Sequence, residues 1–275
     1  MSAVTVCFVT FDPDLELLSE VISRLLDALR YAATRGALTE ARLIVVDNGP
    51  KSDQAVALQT LLKAPSDDSN FAYEIITGHG NIGFGQGHNK AIGRSTADYH
   101  LILNPDVLIE EDAIGTAIQF MEENPQVGLL APAVVLEDGS LGHLCKVYPS
   151  VLDLLLRGFA PAWVKARVAE RLARYEMKSM GPYSVRYGVP LVSGSFMLFR
   201  RRVLELTGGF SKDYFLYFED FDLSLRTARF AKIAYVPAVR IVHKGGFASK
   251  KGPKHWWMFA RSALTFFSRH GWKWY

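Results

Sequence analysis

Cysteine is nearly absent: Cys7 and Cys145 are the only two in 275 residues, far apart and without metal-ligand spacing. That excludes a disulfide-stapled scaffold and a thiolate zinc site, and it suits a reducing compartment. Cys7 stands inside an apolar run and reads as a buried small hydrophobe. No apolar stretch reaches the length that spans a bilayer, and the first residues lack the basic-then-apolar pattern of a secretory signal, so a cytoplasmic location is the expectation. Repeats and low-complexity linkers are missing as well. The net charge of +3 is too small to imply nucleic acid. Acid is wholly missing from one region: Arg240 to Tyr275 holds eight Lys and Arg and no Asp or Glu.

What is present is a chain 49% hydrophobic and 21% charged, which excludes a largely disordered protein and is long enough to bury a sizeable interior. The β-rich run Val4–Phe11 is followed by Leu17, Leu18, Val21, Ile22, Leu25, Leu26 and Leu29 at helical spacing within Leu15–Arg30. The alternation recurs as strand Arg42–Val46, helix Gln54–Leu62, strand Phe71–Thr77, helix Gln86–Arg94, strand Tyr99–Leu103 and helix Glu111–Glu122. Such an order predicts parallel βαβ units, with ligands at the carboxyl ends of the strands. Beyond it, Pro132, Pro149, Pro161, Pro182 and Pro190 divide the chain into shorter pieces. There the pattern predicts a helix over Leu152–Arg174, a buried strand Leu191–Phe199 and a helix Asp220–Arg229. Two short strands, Lys232–Val236 and Val239–Val242, are split by Pro237, and a last helix covers Lys254–Arg269.

Several acidic residues fall where strands end. Strand one runs out in Thr10-Phe11-Asp12 and strand two in Asp47-Asn48-Gly49, so Asp12 and Asp47 can face one crevice. Asp47 could accept a base N–H or a ribose hydroxyl, or the tripeptide could be turn chemistry alone. Gly80-Asn81-Ile82-Gly83-Phe84-Gly85-Gln86-Gly87-His88-Asn89 lies between a strand and a helix, where backbone amides can approach an anion. Its spacing fits neither a dinucleotide fingerprint nor a Walker A loop. Asn104-Pro105-Asp106 follows the strand Tyr99–Leu103 directly and projects a carboxylate that could hold Mg²⁺ or Mn²⁺. His243, at another strand end, could complete that site. Tyr217-Phe218-Glu219-Asp220-Phe221-Asp222 sets three carboxylates among aromatics at a helix start. Asp222 can pair with Arg226 one turn on, which leaves Glu219 and Asp220 for chemistry, and the flanking Phe218 and Phe221 favour a raised pKa suited to a general base.

Taken in order, eight segments resemble the family-2 glycosyltransferases, most closely the bacterial rhamnosyltransferase branch. They are Val9-Thr10-Phe11, Val46-Asp47-Asn48-Gly49, Asn81-Ile82-Gly83-Phe84-Gly85, Leu103-Asn104-Pro105-Asp106, Val192-Ser193-Gly194-Ser195-Phe196-Met197, Gly208-Gly209-Phe210, Tyr217-Phe218-Glu219-Asp220 and His243-Lys244-Gly245-Gly246. The resemblance implies an α/β GT-A fold: a Rossmann-like core with a mixed central sheet and a helical C-terminal tail. It implies a glycosyltransferase domain over 1–250, with a nucleotide-binding half to about 130 and a catalytic half after it, and a basic aromatic tail over 251–275. Asp220 would be the base with Glu219 beside it, and Asp106 and His243 the ligands of a divalent cation. Thr10, Phe11, Asp12, Asp47, Asn81, Gly83, Phe84, Asn89, Asn104, Asp106, Ser193 and Gly194 would line the donor site. The implied reaction is inverting transfer, with dTDP-β-L-rhamnose as donor and a saccharide or lipid-linked saccharide as acceptor. Asp12 and Ser211 depart from the family pattern, where Asn and Asp are usual, and leave a UDP-sugar donor open. A non-catalytic sugar-nucleotide binder and a Rossmann oxidoreductase are the competing classes. In the tail, Trp256, Trp257, Phe259, Phe266 and Phe267 share a helix with Lys254, Arg261 and Arg269. That composition suits either packing on the core or contact with a membrane interface.

Overall fold

The structure, a computed structural model, describes residues 2–50, 52–63, 71–136, 139–181, 183–244 and 252–275. Gly245 and Gly246 of the last motif, Pro182 and the start of the tail at residue 251 lie outside them.

The first half alternates as its pattern predicts: β1 (Ser2–Thr10), α1 (Leu15–Thr34), β2 (Leu38–Asp47), α2 (Ser52–Lys63), β3 (Phe71–Ile76), α3 (Phe84–Ile92), β4 (Tyr99–Leu103), β5 (Val107–Ile109) and α4 (Ala113–Glu123). After these come β6 (Val127–Leu136), β7 (Leu141–Gly142), β8 (Cys145–Lys146), α5 (Val151–Phe159), α6 (Ala162–Arg167), α7 (Ala169–Tyr175), β9 (Arg186–Tyr187) and β10 (Leu191–Val192). The remainder is β11 (Phe196–Arg200), α8 (Arg201–Thr207), α9 (Glu219–Thr227), β12 (Lys232–His243) and α10 (Pro253–His270).

The main sheet runs β3-β2-β1-β4-β11-β6-β12-β5. Its first four strands are parallel, β11 runs antiparallel between β4 and β6, and β12 is parallel to β6 and antiparallel to β5. Strands buried on both faces need apolar stretches, as Val6–Val9 of β1, Leu43–Val46 of β2 and Leu101–Leu103 of β4 provide. Alternate side chains then serve opposite layers. Val6 and Phe8 pack with α1, α2 and α4, while Cys7 and Val9 face the layer that holds α3. A third cluster joins Met197 and Phe199 to Leu204 of α8 and Leu223 of α9. Beside it, Tyr214, Phe218, Phe266 and Phe267 form an aromatic cluster that fastens α10 to the turn before α9.

Four sequence expectations are corrected. Leu191–Phe199 is two strands in different sheets, because the amides of Ser193 and Gly194 leave the ladder for Leu144 O and Asp220 Oδ2. Lys232–His243 is one strand, with Pro237 accommodated in a register shift between Val236 and Arg240. Leu152–Arg174 is three helices, interrupted where Pro161 supplies no N–H and again at Val168. Strand β6, which contains Pro132, has no counterpart in the predicted elements, since a proline in a run argues against a strand until a tolerant partner is known.

Candidate active site

Parallel strands that end together put their last residues side by side, and Thr10 of β1 pairs in register with Asp47 of β2. Thr10 Oγ1 donates to Asp47 Oδ1 at 3.2 Å, as do the Gly49 amide at 2.9 Å and Gln54 Nε2 at 3.0 Å. Three donors on one oxygen fix the carboxylate. The other oxygen, Oδ2, is buried with no partner, the state of an acceptor that awaits a donor. Asn48 is also buried. Its Nδ2 donates to Gly83 O at 3.0 Å and its Oδ1 meets His79 Nε2 at 3.0 Å, which joins β2 to the loop before α3. Phe11 and Asp12 turn outward beyond β1, with Asp12 left-handed at φ 52°.

Two amides of the glycine-rich loop are engaged within the protein. Gly83 N–H donates to Asn81 Oδ1 at 3.0 Å and Phe84 N–H to Phe215 O at 3.1 Å. Gly83 has φ 86°, and a Cβ there would collide with the Phe215 carbonyl oxygen. Gly85 and Gly87 are needed for close packing, since a Cβ would press on Phe210 and Val9 respectively. Asn89, expected against the donor, has its amide engaged elsewhere: Nδ2 donates to Phe210 O and Oδ1 accepts from Phe210 N–H, both at 2.8 Å. It braces the Gly208-Gly209-Phe210 turn. The Phe84 ring stacks edge-on to His88 and Phe210, and it lies where a Cβ on Gly194 would come within 3.1 Å. Phe84 and Asn89 therefore support the site from beneath.

Asp106 and His243 come together because β5, which starts at Val107, pairs with the end of β12, where His243 is opposite Val107. Asp106 Oδ1 and His243 Nε2 are 3.2 Å apart, and Lys244 N–H donates to Asp106 O at 3.0 Å. Both side-chain atoms are buried, yet the alignment makes no hydrogen bond between them. Two ligands that share an ion with bonds of about 2.1 Å stand roughly 3 Å apart along an octahedral edge, so this spacing fits a divalent cation. Among the described residues no group of three or more His, Cys, Asp or Glu could hold a metal; waters and a phosphate would have to complete the shell.

The turn at Ser193, Gly194 and Ser195 links this pair to the acidic cluster. Asn104 N–H donates to Ser195 O at 3.0 Å, and Gly194 N–H donates to Asp220 Oδ2 at 2.8 Å. Asp220 Oδ1 accepts from Phe221 N–H, also at 2.8 Å. Burial pushes the Asp220 carboxyl up to about 6, against the pull of the Gly194 and Phe221 amides. Glu219 is buried deeper and its Oε2 has no partner; burial, then the charge of Asp220, raises it well above the usual carboxylate range. Asp222 takes the structural part expected of it, and more. It is fully buried and accepts from Arg226 Nε at 2.8 Å; His270 Nε2 approaches it at 2.8 Å and Arg269 Nη1 at 3.4 Å.

The backbone entering this cluster is unusual. Tyr217 and Phe218 are consecutive left-handed residues, at φ 72° and 65°. Helix α10 holds them there: Tyr217 Oη lies 2.9 Å from His255 Nδ1, the Leu216 carbonyl accepts from Ser262 Oγ at 2.8 Å, and the Phe218 ring packs on Phe259 and Phe266. Sequence reasoning missed Gln54, His79, His255 and His270. A glutamine in the first turn of a helix or a lone histidine has no local signal for a partner that only the tertiary fold supplies.

The family described as glycosyltransferase like family 2 matches residues 19–264. The chain belongs to that family. Its curated relatives support the rhamnosyltransferase-like branch. An N-acetylglucosaminyl-diphospho-decaprenol L-rhamnosyltransferase of Mycobacterium tuberculosis is 27% identical over 191 residues, 63% of this chain and 59% of that protein. The rhamnosyltransferase WbbL of Escherichia coli K12 is 28% identical over 173 residues, 60% of this chain and 61% of that protein. The matched region thus spans about three-fifths of each relative. Solved structures show the GT-A fold. GalNAc-T7 with UDP, GalNAc and Mn²⁺ superposes with a TM-score of 0.64 at 12% identity, over 92% of this chain and 45% of the other. The mannosyltransferase PcManGT of Pyrobaculum calidifontis, with GDP-Man and Mn²⁺, gives 0.59 at 17% identity, over 98% and 76%.

Proposed function

We propose that this family-2 chain is an inverting glycosyltransferase that moves L-rhamnose from dTDP-β-L-rhamnose to a hydroxyl of a saccharide, free or carried on a lipid diphosphate. One observation carries the reading: unpartnered polar atoms at Asp47, at Asp106 with His243, and at Glu219 beside the raised Asp220 lie on structurally linked turns. Each suits a different part of such a reaction.

Asp47 Oδ2 would accept the imide N–H of thymine, and it would accept that of uracil equally, so a UDP-sugar is the second reading. Thr10 and Gln54 hold the carboxylate in place for that contact. Asp106 and His243 would hold Mg²⁺ or Mn²⁺ against the diphosphate. The two fold neighbours bound Mn²⁺, and a cation so held stabilises charge on the leaving group. Asp220 would take the acceptor hydroxyl proton as the acceptor oxygen bonds to the anomeric carbon. The bond from that carbon to the diphosphate oxygen breaks, and its electron pair leaves with the nucleoside diphosphate. One in-line displacement inverts the anomeric configuration. A carboxyl near 6 is mostly ionised at neutral pH and remains basic enough to receive the proton. A binder without turnover would need no such tuned group.

The lipid-linked acceptor rests on the name of the mycobacterial relative, and on this reading the work is done in the cytoplasm, at the inner face of the membrane. The test is a panel of sugar nucleotides offered to the purified chain, with release of nucleoside diphosphate as the readout. Metal-dependent release from dTDP-rhamnose above UDP-sugars is the expected result. Release from UDP-sugars alone would move the assignment to the second reading, and no release from any donor would end it.

A further inference from the structure

Helix α5 is apolar on both sides. Val151 and Leu154 face inward, against the aromatic cluster of α10, and the one buried polar side chain is Asp153. That carboxylate is taken by the Ser150 cap and by Arg171 Nε at 2.6 Å. The outward side carries Leu155 at 51% exposure and Phe159 at 62%, and α6 continues it with Trp163 at 64%. The first turns of α10 lie against the same region: the rings of Phe159 and Trp256 are 4.6 Å apart, and Trp257 is 64% exposed. Two guanidinium groups cover these indoles, Arg167 over Trp163 and Arg261 over Trp257, each 5.5 Å from the ring centroid.

An apolar surface of this kind needs an occupant, and charge decides which. Across α5, α6 and α10 the basic residues are Arg157, Lys165, Arg167, Lys254, Arg261 and Arg269. Arg157 pairs with Glu176 and Arg269 with Asp213 and Asp222, which leaves Lys165, Arg167, Lys254 and Arg261 for a partner, and the single acid of these helices, Asp153, is buried and bonded. A second copy seated face to face would set cation against cation. An anionic surface would not. Exposed Trp and Phe with Arg and Lys beside them match the boundary between headgroups and acyl chains. No helix among the described residues is long and apolar enough to cross a membrane, so the contact would be peripheral.

We propose that the outer faces of α5 and α6, with the first turns of α10, form a docking surface for anionic bilayer lipid. The sequence suggested this part for the tail alone, beside the reading that the tail packs on the core; the inner side of α10 does pack on Phe218 and Tyr148, and α5 with α6 contributes to the surface. The position matters for chemistry. His255, next to Trp256, bonds Tyr217, two residues before Glu219 and three before Asp220. A bilayer on this face brings a lipid-borne hydroxyl to the base-bearing turn. In that respect the inference rests on the function proposed above, although lipid binding itself requires no transfer.

Removing the tail at Lys250, outside the described residues, is a poor test because it also strips α10 from Tyr217 and Phe218. The experiment instead uses full-length chain, sedimented with vesicles of phosphatidylcholine alone or of phosphatidylcholine with phosphatidylglycerol. The wild type is expected to bind the anionic vesicles at low salt, to ignore the neutral ones, and to be released at about 0.5 M salt. Trp163→Ala with Trp257→Ala, and separately Arg167→Glu with Arg261→Glu, should each weaken binding about tenfold or more while the thermal melt is unchanged. Wild type that ignores anionic vesicles overturns the proposal. So do folded variants that bind as well as wild type, or a chain that elutes as a dimer and becomes monomeric in the Trp variant. Donor turnover, followed in parallel, separates the two claims. Wild type that turns over donor but does not bind anionic vesicles refutes the surface alone, and wild type that binds vesicles without turnover of any donor refutes the enzyme alone.

Discussion

Gly194 N–H donates to Asp220 Oδ2 at 2.8 Å, so the turn between β10 and β11 points the carboxylate at the head of α9. With Phe221 N–H on the other oxygen, both amides favour the ionised form that burial opposes. Asp220→Asn loses the proton acceptor and sets an amide N–H₂ against a backbone N–H. We expect turnover to fall about 10²–10⁴-fold, with donor affinity within roughly threefold of wild type. Because the base must be ionised, wild-type turnover should rise with pH through a midpoint near 6. A rate profile flat from acid to neutral pH would remove Asp220 from that role.

For Asp106 and His243 the expectation concerns the cation. Chelation should stop turnover, and Mn²⁺ or Mg²⁺ should restore it. Even outer partners of a metal ligand are worth about 10–100-fold in affinity, so losing a ligand through Asp106→Ala or His243→Ala should raise half-saturating Mn²⁺ at least about tenfold. Titration calorimetry with nucleoside diphosphate present measures it. Unchanged saturation in both variants would mean that the 3.2 Å pair is structural.

Asp47→Asn is a narrow change, because Oδ1 can keep its three donors while the unpartnered Oδ2 becomes an N–H₂. Affinity for dTDP and UDP should drop together by about 10–100-fold, the equivalent of a charged hydrogen bond of about 1.5–3 kcal/mol. The melting temperature should hardly move. Equal binding by variant and wild type in a fluorescence competition would show that no base reaches this oxygen.

Much of this site is visible in the sequence because acidic residues at strand ends stay at one sheet edge whatever the loops do. Thr10 and Asp47 close β-rich runs that read as strands unaided, and Asp106 follows another. The Asp222–Arg226 pair is likewise local, one helical turn apart. What stays hidden depends on partners remote in the chain. Strands β5, β7, β8, β9 and β10 have two or three residues each, too few for a periodic signal, and exist because something pairs with them. The glycines at the start of α3 read as an anion cradle, and only the positions of Phe215, Phe210 and Val9 reveal Gly83, Gly85 and Gly87 as clearance for packing. Likewise His270 has nothing beside it in sequence to announce Asp222.

Glu219 offers a test on stability rather than rate. Its pKa is raised in the folded chain by burial and by Asp220, so its favourable contribution is complete below the unfolded value and is lost as pH climbs through the folded one. Glu219→Gln keeps the shape and removes the ionisation. The melting temperature of the variant relative to wild type should therefore increase steadily from acid to alkaline pH. A difference that does not vary with pH would mean that Glu219 is ionised without strain.

Two successive left-handed residues without glycine cost on the order of 1–2 kcal/mol each, and at Tyr217 and Phe218 the contacts that offset this come from residues 255–266. During synthesis those residues leave the ribosome after every strand of the sheet. A growing chain can thus assemble the sheet edge at Thr10, Asp47 and Asp106 while the turn ahead of Glu219 and Asp220 is still free to relax. On the function proposed above, a sugar donor captured at that stage would meet no aligned base, and late arrival of α10 would keep the unfinished protein from spending activated sugar on water.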